Sequence, residues 1–348
     1  MTTNNRELPI GIQDFEKLRT GGNVYVDKTA YVYSLTRGEK PYFLGRPRRF
    51  GKSLFLSTLK AYFLGKKELF EGLAIADLEK DWTEYPVLYF DLIDEVSSIA
   101  DMEAVLHDAL SKFEQIYGSE ASEQTLALRF KGIIQRAYEQ TGKKVVVLFD
   151  EYDKPLLSTM DNPALNEEVR KLLKGFYGKL KSSDACLRFV MLTGVTKFSK
   201  VSVFSDLNQL VDISMDRQYA GICGITEEEL LGNFEPELQA LTVERKMTYE
   251  EVLAEMKRRY DGYHFAKESV GMYNPFSVLK TFFSLDFSNY WFQSGTPTFL
   301  IKMVQKAGPD IRKFEGEVTI SVDSISDYRV ESTDPTPLLY QTGYLTIK

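Results

Sequence analysis

Short apolar runs alternate with longer amphipathic stretches over the first part of the chain. Buried strands are predicted at residues 42–44, 86–91, 145–149 and 187–192, and a shorter one at 24–26. Helices are predicted at 54–63, 102–117, 123–138 and 166–180, with another led by Lys28 and Thr29. This alternation predicts an α/β fold, in which a mostly parallel sheet carries helices on both faces as a three-layer domain.

The pattern changes beyond about residue 221. Thr226 and Glu229, and likewise Thr248 and Glu251, have the spacing of a helix-capping box. Asn274 is followed by proline, which favours a helix start because proline fits the first helical position. The last third of the chain is therefore predicted to be mainly helical.

The segment from Gly45 to Ser53 joins the strand at 42–44 to the following helix and has the sequence Gly-Arg-Pro-Arg-Arg-Phe-Gly-Lys-Ser. Such a turn suits a phosphate ligand, because a helix N-terminus offers free N–H groups and the positive end of its dipole. Gly51 would allow close approach, Lys52 would reach the β- and γ-phosphates, and Ser53 would ligate Mg²⁺. The standard pattern has glycine in place of Arg46, so a chance match of the Gly-Lys-Ser triplet is the alternative.

The strand at 145–149 ends in a pair of acids, Asp150 and Glu151. The carboxyl ends of strands are where open α/β sheets bind ligands. Asp150 would hold Mg²⁺ directly or through water, and Glu151 would orient or deprotonate an attacking water. The alternative is that the two acids begin a polar turn.

Three arginines lie in the same loop, Arg46, Arg48 and Arg49. They could stabilise the charge on a transferred phosphoryl group or contact acids of a partner chain. They could equally form a solvated face or pair with Asp27 and Asp153, and we expect at least one to serve structure. The residues predicted to contact the nucleotide are Arg48, Arg49, Phe50, Gly51, Lys52, Ser53 and Leu54.

The composition is ordinary for a globular protein, with 43% hydrophobic and 27% charged residues. A chain of 348 residues can form two domains, predicted here at 1–220 and 221–348. The net charge of −7 argues against a protein that binds nucleic acid over its whole surface, although a local basic patch remains compatible with it.

Few residues are available for metal or disulfide chemistry. The two cysteines, Cys186 and Cys223, cannot form a disulfide framework and are predicted to be buried or partly buried free thiols. The two histidines, His107 and His264, argue against a histidine metal site or a Ser-His-Asp hydrolase. No apolar stretch approaches the roughly 18 residues that span a bilayer. The N-terminus lacks a signal-peptide core, so we expect a cytoplasmic protein without a membrane partner.

Five segments of the chain match the motifs of a known family. They are Tyr25-Val-Asp-Lys-Thr29, Arg46-Pro-Arg-Arg-Phe-Gly-Lys-Ser-Leu54, Phe149-Asp-Glu-Tyr-Asp153, Leu192-Thr-Gly-Val-Thr-Lys-Phe-Ser199 and Tyr273-Asn-Pro-Phe-Ser277. With these motifs the chain resembles the AAA-ATPase-like family of bacterial predicted P-loop ATPases. The resemblance covers nearly the whole chain, and the loop is its most specific part. Arg46 then belongs to the family's own form of the loop.

The resemblance implies a P-loop NTPase domain that takes ATP and Mg²⁺ and is followed by a helical lid or winged-helix-like domain. Lys52 and Glu151 would be catalytic, and Thr193 would be a polar sensor of the γ-phosphate or its water. The alternative for Thr193 is a hydroxyl satisfied by a neighbouring backbone group. Residues 295–297 are similar to the Gly-x-Pro element of such lids, although packing of aromatic residues also explains that stretch.

Similar proteins commonly continue into a nuclease-like domain of the PD-(D/E)XK type, for which this chain has no strand-borne motif. We therefore expect a natural or engineered truncation that retains the NTPase half. A nucleic-acid partner is expected only through that missing domain, whereas the ATPase part could bind a partner protein or form a homo-oligomer.

The sequence thus favours Mg²⁺-dependent binding and hydrolysis of ATP. The alternative is a switch or scaffold that binds ATP with negligible turnover and signals to the nuclease-like domain or to a partner protein. Adenine specificity follows from the resemblance, and the absence of the guanine-specific Asn-Lys-x-Asp pattern agrees with it.

Overall fold

A five-stranded parallel sheet forms the centre of the α/β part. The computed structural model describes residues 7–196, 209–295 and 334–347. In spatial order the strands run β2-β3-β4-β1-β5, and every neighbouring pair is parallel. β4 therefore lies between β1, the strand before the 45–53 loop, and β3, the strand that ends in the two acids. The strands are β1 (Pro41–Gly45), β2 (Val87–Asp91), β3 (Val145–Asp150), β4 (Leu187–Gly194) and β5 (Val211–Asp212).

Helices cover both faces of the sheet and form the C-terminal part. In the α/β part they are α1 (Phe15–Thr20), α2 (Thr29–Thr36), α3 (Lys52–Phe63), α4 (Ala74–Leu78), α5 (Ile99–Tyr117), α6 (Leu126–Thr141), α7 (Lys154–Ser158) and α8 (Pro163–Ser182). They are followed by α9 (Glu227–Arg245), α10 (Tyr249–Tyr260), α11 (Pro275–Ser284), α12 (Tyr290–Gly295) and α13 (Thr336–Gln341).

Two hydrophobic cores, one on each face of the sheet, produce the predicted three layers. Alternate residues of β3 point to opposite faces: Val147 and Phe149 join the core under α5, α6 and α8, whereas Val146 and Leu148 join the core under α3. All of β3 is buried, as expected for a central strand covered on both faces. The predicted α/β three-layer fold is confirmed.

A third core holds the C-terminal helices together. It includes Phe234 of α9, Val252 and Met256 of α10, and Phe282 of α11, whose ring stacks on that of Phe234. The two predicted capping boxes are present at the starts of α9 and α10, and Asn274 caps α11. The predicted starts of these three helices are therefore confirmed. They could be predicted because capping depends on residues close in sequence.

Two details of the sheet differ from the prediction. Residues 24–26 form no strand; the N–H of Val24 donates instead to the carbonyl of Glu7. Tyr25 packs against the core under α3, and Val24 and Val26 pack against the core of the C-terminal helices. This packing produces a strand-like pattern without a strand partner. The two-residue strand β5 was not predicted.

Residues 296 and 297 of the predicted lid element, and residues 197–199 of one family motif, lie outside the described residues. Among the described helices, none has the length and apolar composition needed to cross a bilayer.

Candidate functional site

The 45–53 loop leads from the carboxyl end of β1 into α3. Gly51 is the N-cap residue of α3 and has φ +96°, a left-handed conformation that glycine adopts without steric cost. Arg49 is also left-handed, at φ +68°. Among the described residues no side chain caps α3, so the first N–H groups of this helix can bind an anion.

The ammonium group of Lys52 lies between the loop backbone and the acid pair. Its Nζ donates to the carbonyl oxygens of Arg46 at 3.1 Å and of Pro47 at 3.3 Å. It also lies 3.8 Å from Oε1 of Glu151. The side chains of Lys52 and Glu151 are only 3% and 18% exposed, so solvent screens their attraction less than that of a surface pair. The structure therefore brings together the lysine and the glutamate that the sequence predicted to act in one site.

Arg46, which replaces the usual glycine, has a structural role. Its guanidinium is buried and donates to the carbonyl oxygens of Gly45 at 2.9 Å, Ser214 at 2.6 Å and Tyr219 at 3.0 Å. It also lies 4.1 Å from the ring centre of Phe265, a cation–π contact. Burial lowers the pKa of Arg46. The arginine thus ties the base of the loop to the segment after β5 and to the C-terminal part.

The outer side of the loop is held by residues that follow the α/β part. The N–H of Gly224 donates to the carbonyl of Phe50 at 3.0 Å, and the ring of Phe50 packs edge-on against that of Phe265. The indole N–H of Trp291 donates to the carbonyl of Arg48 at 3.2 Å. Because the Phe50 side chain is buried in this contact, the residue could meet a phosphate only through its backbone.

Asp150 lies at the end of β3, and three donors hold its carboxylate. Oδ1 accepts from the hydroxyl of Thr193 at 2.5 Å and from the N–H of Glu151 at 3.1 Å, and Oδ2 accepts from the hydroxyl of Tyr89 at 3.4 Å. The Thr193 hydroxyl also lies 3.4 Å from the carbonyl of Phe149. The Thr193 hydroxyl is thus satisfied mainly by the carboxylate of Asp150 rather than by a backbone group.

The neighbouring strand adds a further acid to this edge of the sheet. Asp91 is paired in register with Asp150 across β2 and β3. Desolvation, and then the negative charge of Asp150, raise the pKa of Asp91 to about 6. The side chain retains solvent contact, so the register with Asp150 makes charge repulsion the better supported cause.

Asp153 is a buried acid that fixes the chain after β4. Its Oδ2 accepts from the N–H groups of Val195 at 3.0 Å and Thr196 at 2.6 Å, and from the Thr196 hydroxyl at 2.7 Å. Its Oδ1 has no hydrogen-bond partner within the described ranges. A side chain at Gly194 would place Cβ 2.5 Å from this oxygen, so only glycine fits there. Burial, followed by the charge of Glu151, raises the pKa of Asp153 to about 6.

Arg48 and Arg49 remain at the mouth of the site. The guanidinium of Arg49 lies over the ring of Phe276, 5.1 Å from its centre. Neither arginine forms an ion pair with Asp27 or Asp153 in the described part of the chain. Asp27 accepts from the N–H and hydroxyl of Thr29 and from the N–H of Ala74, and Asp153 holds the segment after β4. The suggested pairing with these two acids is therefore wrong.

An open cleft of about 480 Å³ lies over the loop. One wall contains Arg48, Arg49, Gly51, Lys52, Ser53, Leu54, Glu151 and Lys154. The other wall is formed by Pro9, Gly11, Ile12 and Gln13 of the N-terminal segment and by Pro275, Phe276 and Leu279 at the start of α11. Ile93 and Glu95, from the segment after β2, complete the rim. The volume is in the range of small-molecule sites.

The sequence prediction missed several residues of this cleft. Lys154 and Glu95 were not proposed, and neither was the wall formed by the N-terminal segment. Lys154 directly follows the family motif that ends at Asp153, which was the available signal for it. The helix start at Asn274 and Pro275 was recognised, but only the folded chain shows that the first turn of α11 faces the loop.

Comparisons with known proteins agree with this architecture. The family model described as "Predicted AAA-ATPase" matches residues 9–204, which include β1, the loop, α3 and the acid pair. A protein of Azotobacter chroococcum mcd 1, named "Uncharacterized protein in vnfD 5'region", is 41% identical over 345 residues. The match covers 98% of this chain and 64% of that protein, so the chain spans just under two thirds of the relative's length. On the family match, and with the loop, the acid pair and the parallel sheet in place, the chain belongs to the AAA-ATPase-like family, described as predicted AAA-ATPases.

Proposed function

We propose that this protein binds ATP together with Mg²⁺ in the cleft over the 45–53 loop and hydrolyses the β–γ bond of the ATP. The observation that carries the proposal is the meeting of Lys52 and Glu151 in one cleft, with their charged groups 3.8 Å apart. A lysine that binds phosphate and a glutamate that activates water must reach the same cleft, because both act at the γ-phosphate.

The loop end of the cleft suits a polyphosphate. Lys52, Arg48, Arg49 and Lys154 supply positive charge, and the uncapped N-terminus of α3 supplies N–H donors. Among the described residues, the acids in the lining of this cleft are Glu151 and Glu95. Basic groups outnumber acidic ones in the lining, so an anionic ligand would be attracted although the whole chain carries a charge of −7.

The oxygen donors here fit Mg²⁺. Ser53 offers a hydroxyl in the first turn of α3 and lines the cleft. Asp150 is buried next to the cleft residue Glu151 and offers a carboxylate that Thr193 and a backbone N–H orient. Within residues 7–196, 209–295 and 334–347, no three acidic, histidine or cysteine side chains form a metal site on their own. That agrees with Mg²⁺, which takes one or two protein oxygens and completes its shell with phosphate and water. When bound, the ion would neutralise charge on the β- and γ-phosphate oxygens.

Glu151 is the residue proposed to orient and deprotonate the attacking water. It has φ +52°, an uncommon conformation for a residue other than glycine, directly after the buried Asp150. Its carboxylate is partly exposed to the cleft and lies next to the ammonium group of Lys52. In-line attack would then use Glu151 on the water and Lys52 with a loop arginine on the developing charge.

The apolar part of the cleft lining suits a purine base. It consists of Pro9 and Ile12 of the N-terminal segment and of Pro275, Phe276 and Leu279 at the start of α11. A flat base could lie against this surface with the phosphates directed towards Lys52.

A nucleotide-dependent switch with negligible turnover is the second candidate. The contacts of the loop with the C-terminal part favour it, because Gly224, Phe265 and Trp291 all touch the loop backbone or its side chains. A change in the loop on nucleotide binding would act on these elements directly.

Phosphate release and nucleotide binding, measured on the same samples, test the proposal. The wild-type protein is expected to bind ATP one-to-one by calorimetry and to release phosphate continuously with Mg²⁺ but not with EDTA. Glu151→Gln should keep binding and lose about 10²–10⁴-fold of the rate, the usual contribution of a general base. Tight retention of ATP by the wild type without release would favour the switch, and absence of any ATP-induced thermal shift would refute both functions.

A further inference from the structure

A second lysine enters the cleft from the acid-bearing side. Lys154 begins α7, and its N–H donates to the carbonyl of Glu151 at 3.0 Å, so both residues belong to one turn. Its side chain lines the same cleft as Lys52 and is only 18% exposed.

The partner of Lys154 is a solvent-exposed acid. Nζ of Lys154 lies 3.0 Å from Oε1 of Glu95, whose side chain is 86% exposed. The hydrogen bond from Lys154, then its charge and more weakly that of Arg48, lower the pKa of Glu95. Glu95 thus places a carboxylate in the lining of the cleft, next to the ammonium group of Lys154.

A pair with one partner in bulk water is weak and easily exchanged. A phosphate oxygen carries the same type of charge as a carboxylate oxygen and accepts the same hydrogen bonds, but a polyphosphate would also be held by Lys52 and the α3 N-terminus. It could therefore displace Glu95 from Lys154 at little cost.

We propose that Lys154 is a phosphate-binding residue of the cleft, and that Glu95 takes the place of a terminal phosphate oxygen until nucleotide binds. This inference rests on the proposed nucleotide binding and adds to it a contact and a competing group. Lys154 shares a turn with Glu151, the residue proposed to act at the γ-phosphate, so Lys154 contacts the terminal phosphate. The site therefore selects triphosphate over diphosphate.

A second ion pair of this type at the other end of β3 provides a matched control. Lys144 precedes β3 and lies 3.4 Å from Glu39, and the two side chains are 38% and 65% exposed. Both pairs join a lysine flanking β3 to an exposed glutamate. Only Lys154 lines the cleft and is largely buried there. A general effect of removing a lysine would appear in both variants.

The test measures the affinity of the full chain for the β,γ-imido analogue of ATP and for ADP by calorimetry with Mg²⁺. Lys154→Met should weaken binding of the triphosphate analogue about tenfold, as expected for one charged hydrogen bond, and should weaken ADP binding much less. Lys154→Arg should restore most of the affinity, and Lys144→Met should match the wild type. Glu95→Gln should tighten binding of the analogue, because the competing charge is gone, and Glu39→Gln should not.

The outcomes separate this inference from the proposed function. If the wild type binds the analogue and Lys154→Met binds it equally well, or loses both nucleotides equally, the assignment of Lys154 is wrong. If Glu95→Gln weakens binding, Glu95 is not a competing group. If the wild type binds neither nucleotide, the nucleotide-binding proposal fails, and this inference fails with it. Thermal unfolding of each variant shows whether it is folded when it is measured.

Discussion

The ammonium group of Lys52 lies 3.8 Å from the carboxylate of Glu151, and both side chains are shielded from solvent. The loop lysine is held by this acid and by two loop carbonyls. A γ-phosphate entering the cleft would approach both charged groups, of which the lysine attracts it and the glutamate repels it. The two residues should therefore change nucleotide affinity in opposite directions.

Lys52→Met should lower the affinity for ATP at least about tenfold, because a charged donor to phosphate is lost. Glu151→Gln should raise the affinity about threefold to tenfold, because it removes a negative charge beside the phosphate and keeps the shape of the side chain. Both are measured by calorimetry at one salt concentration. A loss of affinity in Glu151→Gln would contradict this view of the pair.

Ser53→Ala tests the proposed metal site. The variant should lose most of the increase in ATP affinity that Mg²⁺ gives, and it should match the wild type in EDTA, because only the metal contact is removed. Ser57→Ala on the same helix is the control, since the Ser57 hydroxyl accepts from the N–H of Phe15 and is buried away from the cleft. That control should lose stability but keep its response to Mg²⁺. Equal responses of the two variants would argue against Ser53 as a ligand.

Thr193→Val removes the hydroxyl that orients Asp150 and nearly preserves the side-chain shape. Phosphate release should fall about tenfold or more, the cost of one hydrogen bond to a charged group, and the Mg²⁺ concentration for half-maximal rate should rise. Thr36→Val is the control, because the buried Thr36 hydroxyl donates to backbone carbonyls of its own helix and does not contact Asp150. An unchanged Mg²⁺ requirement in Thr193→Val would leave Thr193 with a purely structural role.

A feature of this fold could be predicted from the sequence when the interactions behind it join residues close together in the chain. The loop at Gly51 and Lys52 and the acid pair could be recognised because each depends on a few adjacent residues at the end of a buried strand. Residues 24–26 were predicted as a strand in error, because apolar side chains that pack against helices give the same pattern as a strand. The two residues of β5 are too few for any periodicity.

The contacts that complete the site join residues far apart in the sequence. The guanidinium of Arg46 meets Ser214 and Tyr219, and Glu95 meets Lys154. Neither pairing produces a local pattern, so the sequence showed only that an arginine occupied an unusual place. It did not reveal what the arginine held.

Arg46→Met tests whether this arginine supports the loop from outside the cleft. Its carbonyl partners would lose a buried charged donor, so the free energy of unfolding should fall by about 3 kcal/mol, measured with urea. The affinity for ATP should fall too, because the carbonyl of Arg46 accepts from Lys52 and the loop would move.

Arg188→Met is the matched control for that change. Arg188 also donates to backbone carbonyls, those of Gly38 and Thr36, but it lies at the amino end of β4, away from the loop. It should lose stability and keep its ATP affinity. If Arg46→Met is destabilised but binds ATP as the wild type does, Arg46 does not position the loop.

Asp153→Asn should change how stability depends on pH in the nucleotide-free protein. The pKa of Asp153 is raised from 3.8 to about 6, so between these values the folded state holds a proton that the unfolded state has lost. The free energy of unfolding contributed by this group therefore falls as pH rises from about 4 to about 6 and is constant above that. Asparagine keeps an acceptor for Val195 and Thr196 and never ionises, so the variant avoids this loss. Its stability relative to wild type should rise by on the order of 3 kcal/mol across that interval, measured by urea unfolding. A difference between the two proteins that does not change with pH would mean that Asp153 is already ionised at pH 4 in the fold.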